Sequence, residues 1–190
     1  MIGRFLLVGA SALALAVAAQ AQPVPPPMAP PAHMQAGMPM PMPMPDGMTA
    51  DFITKAAQSD EFERREGRLA EARATSGMVR DFATQMVLAH TETTRGLKEA
   101  IRAAGMTPPP PPQLTDTQRR MIRDLAHRSG GDFEREYIQQ QVHAHEDALQ
   151  LMQHYANFGA PGPIKEAAAK TAPLVQHHLE MARQIRGQIT

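Results

Sequence analysis

The sequence contains no cysteine and no tryptophan, and its other aromatic residues are two tyrosines and six phenylalanines. Without cysteine the chain can form neither a disulfide framework nor a thiolate nucleophile, and it has no cysteine for a lipid anchor. The scarcity of aromatic side chains argues against a base-stacking surface for single-stranded nucleic acid. Basic and acidic residues balance at 19 each, so a strongly basic face is not expected either. We therefore expect no nucleic-acid partner.

Long apolar runs are missing from the chain except at its N-terminus. Arg4 precedes the apolar stretch Phe5–Ala19, which leads into the small-x-small pattern "AQA" of a signal peptidase site. This pattern predicts a signal peptide over residues 1–21, a mature chain that begins at Gln22, and export to a bacterial periplasm. No later segment has the ~20 apolar residues that a membrane span requires, so we expect none in the mature protein. Association with the cell envelope or outer membrane stays open, as does the oligomeric state.

Residues 22–48 contain ten prolines and seven methionines. Proline at this density favours extended polyproline II structure and cannot form a packed core, so we expect a disordered tether. The run "MPMPMPMP", together with His33, also has soft thioether and imidazole groups that could bind Cu(I). Between a flexible spacer and a copper-binding segment, we favour the spacer. The folded part is then one domain over residues 49–190.

Residues 49–190 lack strand patterns and have a persistent 3.6-residue hydrophobic period, which predicts an all-α fold. Short turns join two pairs of long helices, so each pair is expected to form an antiparallel hairpin. A connection of about 27 residues, with five consecutive prolines and a short helix, is long enough to cross the length of a bundle. A ferritin-like four-helix bundle with this long crossover between its second and third helices is therefore predicted. The long helices are expected over residues 49–74, 78–104, 132–158 and 164–189, and the short helix over residues 116–127.

Four polar side chains fall on the predicted core faces, one on each long helix. At about 100° per residue, Glu63, His90, His145 and His178 lie among apolar neighbours on their helices. Glu63 and His90 are equally far from the turn that joins their helices, and His145 and His178 are equally far from theirs. All four side chains are therefore expected halfway along the bundle, where they could converge.

Helical phase also sorts the remaining candidates. His143 and His154 point away from the core face of their helix and are expected to face solvent. Leu174 is assigned to the core face of the last helix. Tyr137 and Thr93 are candidate partners that would hold the buried polar groups in position, if they lie at the same level.

A glutamate and three histidines form a ligand set suited to a transition metal such as copper, iron or zinc. The alternative is a buried polar network, in which these groups bond one another, fix helix register and bind nothing. Leaving such groups unpaired in the core would cost ~1–3 kcal/mol each. A diiron centre of the ferritin type needs Glu-x-x-His on two helices, and the chain has no such motif. Metal binding and the polar network both stay open at this point.

Four segments of the folded region follow the sequence pattern of a known protein family: "FITKAAQSDEFERREGRLA", "VRDFATQMVLAH", "FEREYIQQQVHAHEDAL" and "APLVQHHLEMA". Over about residues 50–186 they resemble a bacterial domain of unknown function, numbered 4142, which is an exported, ferritin-like domain. The resemblance implies this fold and an exported location, and its matching positions include the four candidate residues. The family pattern has aspartate at two positions where this chain has Ala89 and Glu134.

The family has no settled biochemical role, so the resemblance implies a fold rather than an activity. We expect an exported helical-bundle protein, non-enzymatic, with a candidate metal site at Glu63, His90, His145 and His178. The alternative is a structural or stress-related interaction module of the cell envelope that binds no metal. Low-level redox activity is a third option.

Overall fold

The computed structural model describes residues 46–189, which form five helices and no strand. The prediction of an all-α fold is confirmed. The predicted signal peptide, and the predicted tether up to residue 45, lie outside the described residues. Within residues 46–189, no helix combines the length and the apolar character that crossing a bilayer requires. The helices are α1 (Gly47–Arg73), α2 (Gly77–Ala103), α3 (Asp116–Ala126), α4 (Gly130–Phe158) and α5 (Pro163–Gln188).

Local sequence explains where several helices begin. The Asp46 carboxylate accepts a hydrogen bond of 2.6 Å from the backbone N–H of Thr49, which caps the first turn of α1. At α3, Thr115 and Gln118 form a capping box, in which each side chain bonds the other residue's backbone N–H. Pro163 opens α5, where its missing N–H removes no helical hydrogen bond.

The four long helices surround one core. α1 packs against α2 and α4, and α5 packs against α4 and α2. Near the start of α1, Phe52 stacks on Tyr155 near the end of α4, with ring centroids 4.1 Å apart. Near the start of α4, Glu134 accepts hydrogen bonds from the α1–α2 turn. α4 is therefore antiparallel to α1 and parallel to α2, so the connection that contains α3 crosses the bundle lengthwise.

The core consists of two apolar clusters with polar side chains between them. The cluster nearer the α1–α2 turn includes Phe82, Met86 and Phe133, whereas the other includes Phe52 and Met152. Between the clusters, each of the four long helices has at least one buried polar residue. The fold therefore sets a polar group from each long helix at one level, and interrupts its own hydrophobic core to do so.

The prediction for Leu174 is wrong. Its side chain is 38% exposed, whereas the next residue, Val175, is 3% exposed and packs inward. Leu174 shares a face of α5 with Ala167 and Thr171, and this face borders a surface groove against α2. The apolar stripe of α5 is wide enough to allow either face inward, and packing against α4 selects the face of Val175.

Candidate metal centre

The structure brings the four predicted residues together in the middle of the bundle. Glu63 comes from α1, His90 from α2, His145 from α4 and His178 from α5, and no side chain among them exceeds 3% exposure. We call His90, His145 and His178 the trihistidine cluster, and the cluster together with Glu63 the polar layer. The equal spacing from the turns predicted this common depth, because helices rise by the same amount per residue on both sides of a hairpin.

The three imidazole rings form a nearly equilateral triangle. Ring centroids lie 5.5 Å apart for His145 and His178, 5.6 Å for His90 and His145, and 5.9 Å for His90 and His178. One ring nitrogen of each residue lies within 4.8 Å of one from each of the others. The rings are tilted by 56–80° to one another, so they do not stack.

Hydrogen bonds determine which nitrogens of the cluster carry lone pairs. His145 Nδ1 lies 2.8 Å from the backbone oxygen of Gln141, which can only accept, so Nδ1 carries the proton. His90 Nδ1 lies 2.9 Å from Asp60 Oδ1 and donates to it. Nε2 of His90, Nε2 of His145 and Nδ1 of His178 are buried and have no hydrogen-bond partner. Two histidines are thus held with Nε2 available as a ligand atom.

Asp60 was not identified from the sequence. Its side chain is almost fully buried and accepts three hydrogen bonds, from His90 Nδ1, from Thr93 Oγ1 at 2.8 Å and from Thr94 Oγ1 at 2.9 Å. Thr93, expected to contact the buried polar groups, does so through Asp60. Asp60 could have been identified from the sequence, because it lies three residues before Glu63 and therefore on the same side of α1.

Glu63 lies beside the trihistidine cluster. Neither carboxylate oxygen has a hydrogen-bond partner, and Oε1 lies 3.8 Å from His145 Nδ1, the nitrogen that faces away from the centre of the cluster. Burial raises the pKa of Glu63 to about 7, against the opposing charge of His90. The carboxylate can therefore exist in both protonation states near neutral pH, but the ligand atoms that converge belong to the three histidines, and Glu63 is not part of that group.

Burial also determines the charge of the histidines. It lowers the pKa of His145 to about 3 and that of His178 to about 4, with a further contribution from the charge of His90. Both rings are therefore neutral at physiological pH, the form that binds metals. Burial opposes the protonation of His90 as well, but the hydrogen bond to Asp60 and the charge of Glu63 outweigh it and raise its pKa.

A second group of buried polar atoms lies next to the polar layer. Gln141 Nε2 donates to Glu66 Oε2 at 3.2 Å, while the other side-chain oxygens of both residues have no partner. Burial, together with the charge of Glu63, raises the pKa of Glu66 well above its usual value. The Tyr137 hydroxyl is also buried without a partner, so its expected hydrogen bond to the polar layer is not formed.

The histidines predicted to face solvent do so. His143 and His154 are both exposed on α4. His143 contacts Gln139 and Glu146 on its own helix. These two histidines share a helix with His145 but have none of its burial, so they serve as natural controls for it.

A comparison with solved structures finds a similar fold in the crystal structure of a DUF305 fragment from Deinococcus radiodurans. It covers 77% of this chain and 99% of that one, with a TM-score of 0.65 and 14% sequence identity. At this identity the likeness concerns the fold alone. A comparison with curated proteins gives no match. The model of the family described as "Domain of unknown function (DUF4142)" matches residues 34–185, and the chain therefore belongs to that family.

Proposed function

We propose that this domain binds one transition metal ion through the trihistidine cluster, with Glu63 as a candidate fourth ligand. The observation that carries the proposal is the convergence of three buried imidazoles, each of which has one ring nitrogen without a hydrogen-bond partner. Buried polar atoms in folded proteins are nearly always paired, so three unpaired nitrogens within one cluster need an explanation. A bound cation would supply the missing partner for all three.

The dimensions of the cluster suit such an ion. Tetrahedral zinc with Zn–N bonds of about 2.0–2.1 Å holds its ligand nitrogens about 3.3 Å apart. The nitrogens here lie within 4.8 Å of one another, so each must move inward by about 1 Å or less. Small rotations of the side chains achieve this, and the helices need not move.

The competing explanation is a polar network without metal. A protonated His90, favoured by Asp60, would have an Nε2–H to donate to a neighbouring imidazole. That one proton could satisfy one of its two neighbours, but both oxygens of Glu63 would still lack donors. The metal accounts for more of the unpartnered atoms, so we favour it over a structural role for the polar layer.

Ligand chemistry narrows the choice of ion. Imidazole and carboxylate suit copper, zinc and iron, whereas magnesium and calcium prefer sites made entirely of oxygen. Asp60 bonds the far nitrogen of His90, as a carboxylate commonly does behind a metal-binding histidine. With the predicted export, the protein would be a periplasmic metal-binding protein, and we assign it binding rather than catalysis.

The proposal is tested by metal analysis of the protein purified without an affinity tag, followed by titration with Cu²⁺, Zn²⁺, Fe²⁺ and Co²⁺. Two variants remove cluster ligands, His90→Ala and His178→Ala. The matched control is the double variant His143→Ala/His154→Ala, which removes histidines that are exposed in the structure. Circular dichroism verifies that each variant stays helical.

We expect about one ion per chain in the parent and in the control. Each cluster variant should bind at least about a hundredfold more weakly, since one of three strong ligands is gone. If none of the four ions binds the parent, the polar network is the correct explanation. Equal losses in the control and in the cluster variants would place metal binding at the surface and would also refute the proposal.

A further inference from the structure

A surface groove of about 570 Å³ is lined in part by Asp60, which is hydrogen-bonded to His90 of the trihistidine cluster. Helices α2 and α5 form its sides, and we call it the α2–α5 groove. Asp60 and Thr93 line its inner part, and Thr93 donates to the Asp60 carboxylate. Because Asp60 also bonds His90, the groove reaches a side chain that is one hydrogen bond away from the cluster. Leu174 lines the α5 side, one helical turn before His178.

A glycine within α2 lines this groove. Gly96 lies in the interior of the helix, where glycine costs about 1 kcal/mol relative to alanine. A Cβ atom at Gly96 would meet no atom within 4 Å, so close packing does not require the glycine. Gly67 in α1 differs, because a Cβ there would lie 2.7 Å from Val87 Cγ2. A large side chain at Gly96 would therefore extend into open space, which makes this position suitable for blocking the α2–α5 groove.

The charges along the groove favour cations. Four acidic residues line it against two basic ones. One of the basic residues, Arg95, already forms salt bridges of 2.7 Å with Glu92 and 2.6 Å with Glu99. The remaining negative charge would raise the local concentration of positive ions at the mouth of the groove.

On the basis of the metal-binding function proposed above, we propose that the α2–α5 groove is the entry route for a free, hydrated divalent metal ion. Asp60 is the carboxylate that receives the ion at the inner end of the route, before the ion reaches His90. The threonine hydroxyls that bond Asp60 can rotate away as the ion arrives, since a hydroxyl hydrogen bond is easily exchanged. The route therefore ends on a ligand of the type that divalent cations prefer.

A second groove on the opposite side of the bundle serves as the control. It is larger, about 1100 Å³, and is lined by α1, α3 and α4 together with the loop before α3. Neither groove is lined by a residue of the polar layer, but the second groove also lacks Asp60 and the threonines bonded to it. If size alone determined the route, the ion would enter through this second groove. Blocking each groove in turn therefore distinguishes the two routes.

The experiment measures the rates at which the full protein binds and releases Co²⁺, whose visible absorption changes when it enters a site of histidines. Gly96→Trp fills the α2–α5 groove from an open position, and Gly96→Ala changes the same residue without filling it. Gln150→Trp places the same indole in the second groove, at an exposed position. The equilibrium Kd is measured for each protein with the same signal.

We expect Gly96→Trp to slow association and dissociation by the same factor, at least about tenfold, with Kd unchanged. A blocked route raises one barrier for both directions and leaves the bound state as it was. Gly96→Ala and Gln150→Trp should keep the parental rates. If Gly96→Trp binds and releases Co²⁺ at the parental rates, or if Gln150→Trp slows these rates, the proposed entry route is wrong, although the metal site is not affected by that result. If the parent binds none of Co²⁺, Cu²⁺, Zn²⁺ and Fe²⁺, the proposed metal-binding function itself is wrong.

Discussion

Two glycines inside helices should respond in opposite directions to the same substitution. Gly67 and Gly96 both lie in helix interiors, in α1 and α2. A Cβ atom at Gly67 would lie 2.7 Å from Val87 Cγ2 and 3.2 Å from the backbone oxygen of Ala83, whereas one at Gly96 would meet nothing within 4 Å. The α1–α2 contact thus depends on glycine at one of the two positions and not at the other.

The magnitudes follow from two competing effects. Alanine is the better helix former by about 1 kcal/mol, which should stabilise both variants. At Gly67 an overlap with a stiff, β-branched side chain and a backbone oxygen adds a cost of about 1–3 kcal/mol, as overpacking usually does. Gly96→Ala should therefore stabilise the protein by about 0.5–1 kcal/mol, and Gly67→Ala should destabilise it by up to about 2 kcal/mol.

Urea denaturation followed by circular dichroism measures both free energies of unfolding. A third variant, Gly67→Ala/Val87→Ala, removes the methyl group that causes the closest overlap. Measured against Val87→Ala alone, Gly67→Ala should cost less than it does in the parent, by about 1 kcal/mol. If Gly67→Ala stabilises the parent as much as Gly96→Ala does, the helices can move apart at no cost and the reasoning from close approach is wrong.

Three further substitutions test individual contacts. Glu134→Ala should reduce the free energy of unfolding by about 1–3 kcal/mol in urea titrations, because two backbone N–H groups of the α1–α2 turn lose their acceptor. Tyr155→Phe should cost about 1 kcal/mol by the same assay, since its hydroxyl lies 2.7 Å from Thr49 Oγ1 in the core. Glu66→Gln should gain stability over the parent as pH rises above 4.5, by up to about 1.4 kcal/mol per pH unit. The native parent keeps a proton on Glu66 that the unfolded chain releases, so parental stability falls more steeply with pH than that of the variant, which lacks this one contribution. Parallel curves from pH 5 to 8 would contradict this.

The helices and the polar layer could be predicted because both depend on local periodicity. Helical phase alone selected Glu63, His90, His145 and His178, and counting from the turns predicted their common depth. Both steps use the rise and rotation per residue of an α-helix, which vary little between proteins. The same reasoning separated His145 from its exposed neighbours on α4.

Other features depend on how the helices are rotated against each other, which periodicity does not determine. Asp60 sits at the side of the predicted stripe of α1, and only the approach of α2 brings Thr93 and Thr94 against it. Leu174 was assigned to the core, but its neighbour Val175 is also apolar, and packing places Val175 inside instead. Glu134 holds the α1–α2 turn through a contact between segments about 58 residues apart in sequence, which helical periodicity cannot predict.

Burying the polar layer lowers the stability of the fold. The size of this cost distinguishes a structural role of the layer from a functional one. Five atoms of the layer lack hydrogen-bond partners in the middle of the core, namely both oxygens of Glu63 and one nitrogen of each histidine. At ~1–3 kcal/mol per unpaired group, their burial consumes a large part of the 5–15 kcal/mol by which folded domains are typically stable. Apolar side chains of similar volume would pack between the two existing clusters without this cost.

The triple variant Glu63→Met/His145→Leu/His178→Leu tests that argument, because it keeps the hydrogen-bonded pair of His90 and Asp60 and replaces the rest of the layer. Without added metal, the variant should unfold at higher urea than the parent, with a gain of about 1–4 kcal/mol. With saturating metal, the parent should recover the difference, since an ion that binds only the folded state stabilises it. The variant could instead be less stable than the metal-free parent, with the same slope of the free energy of unfolding against urea concentration. That result would mean that the polar layer stabilises the bundle without metal. The selective reason to keep buried histidines would then be structural, and the metal proposal would lose its physical basis.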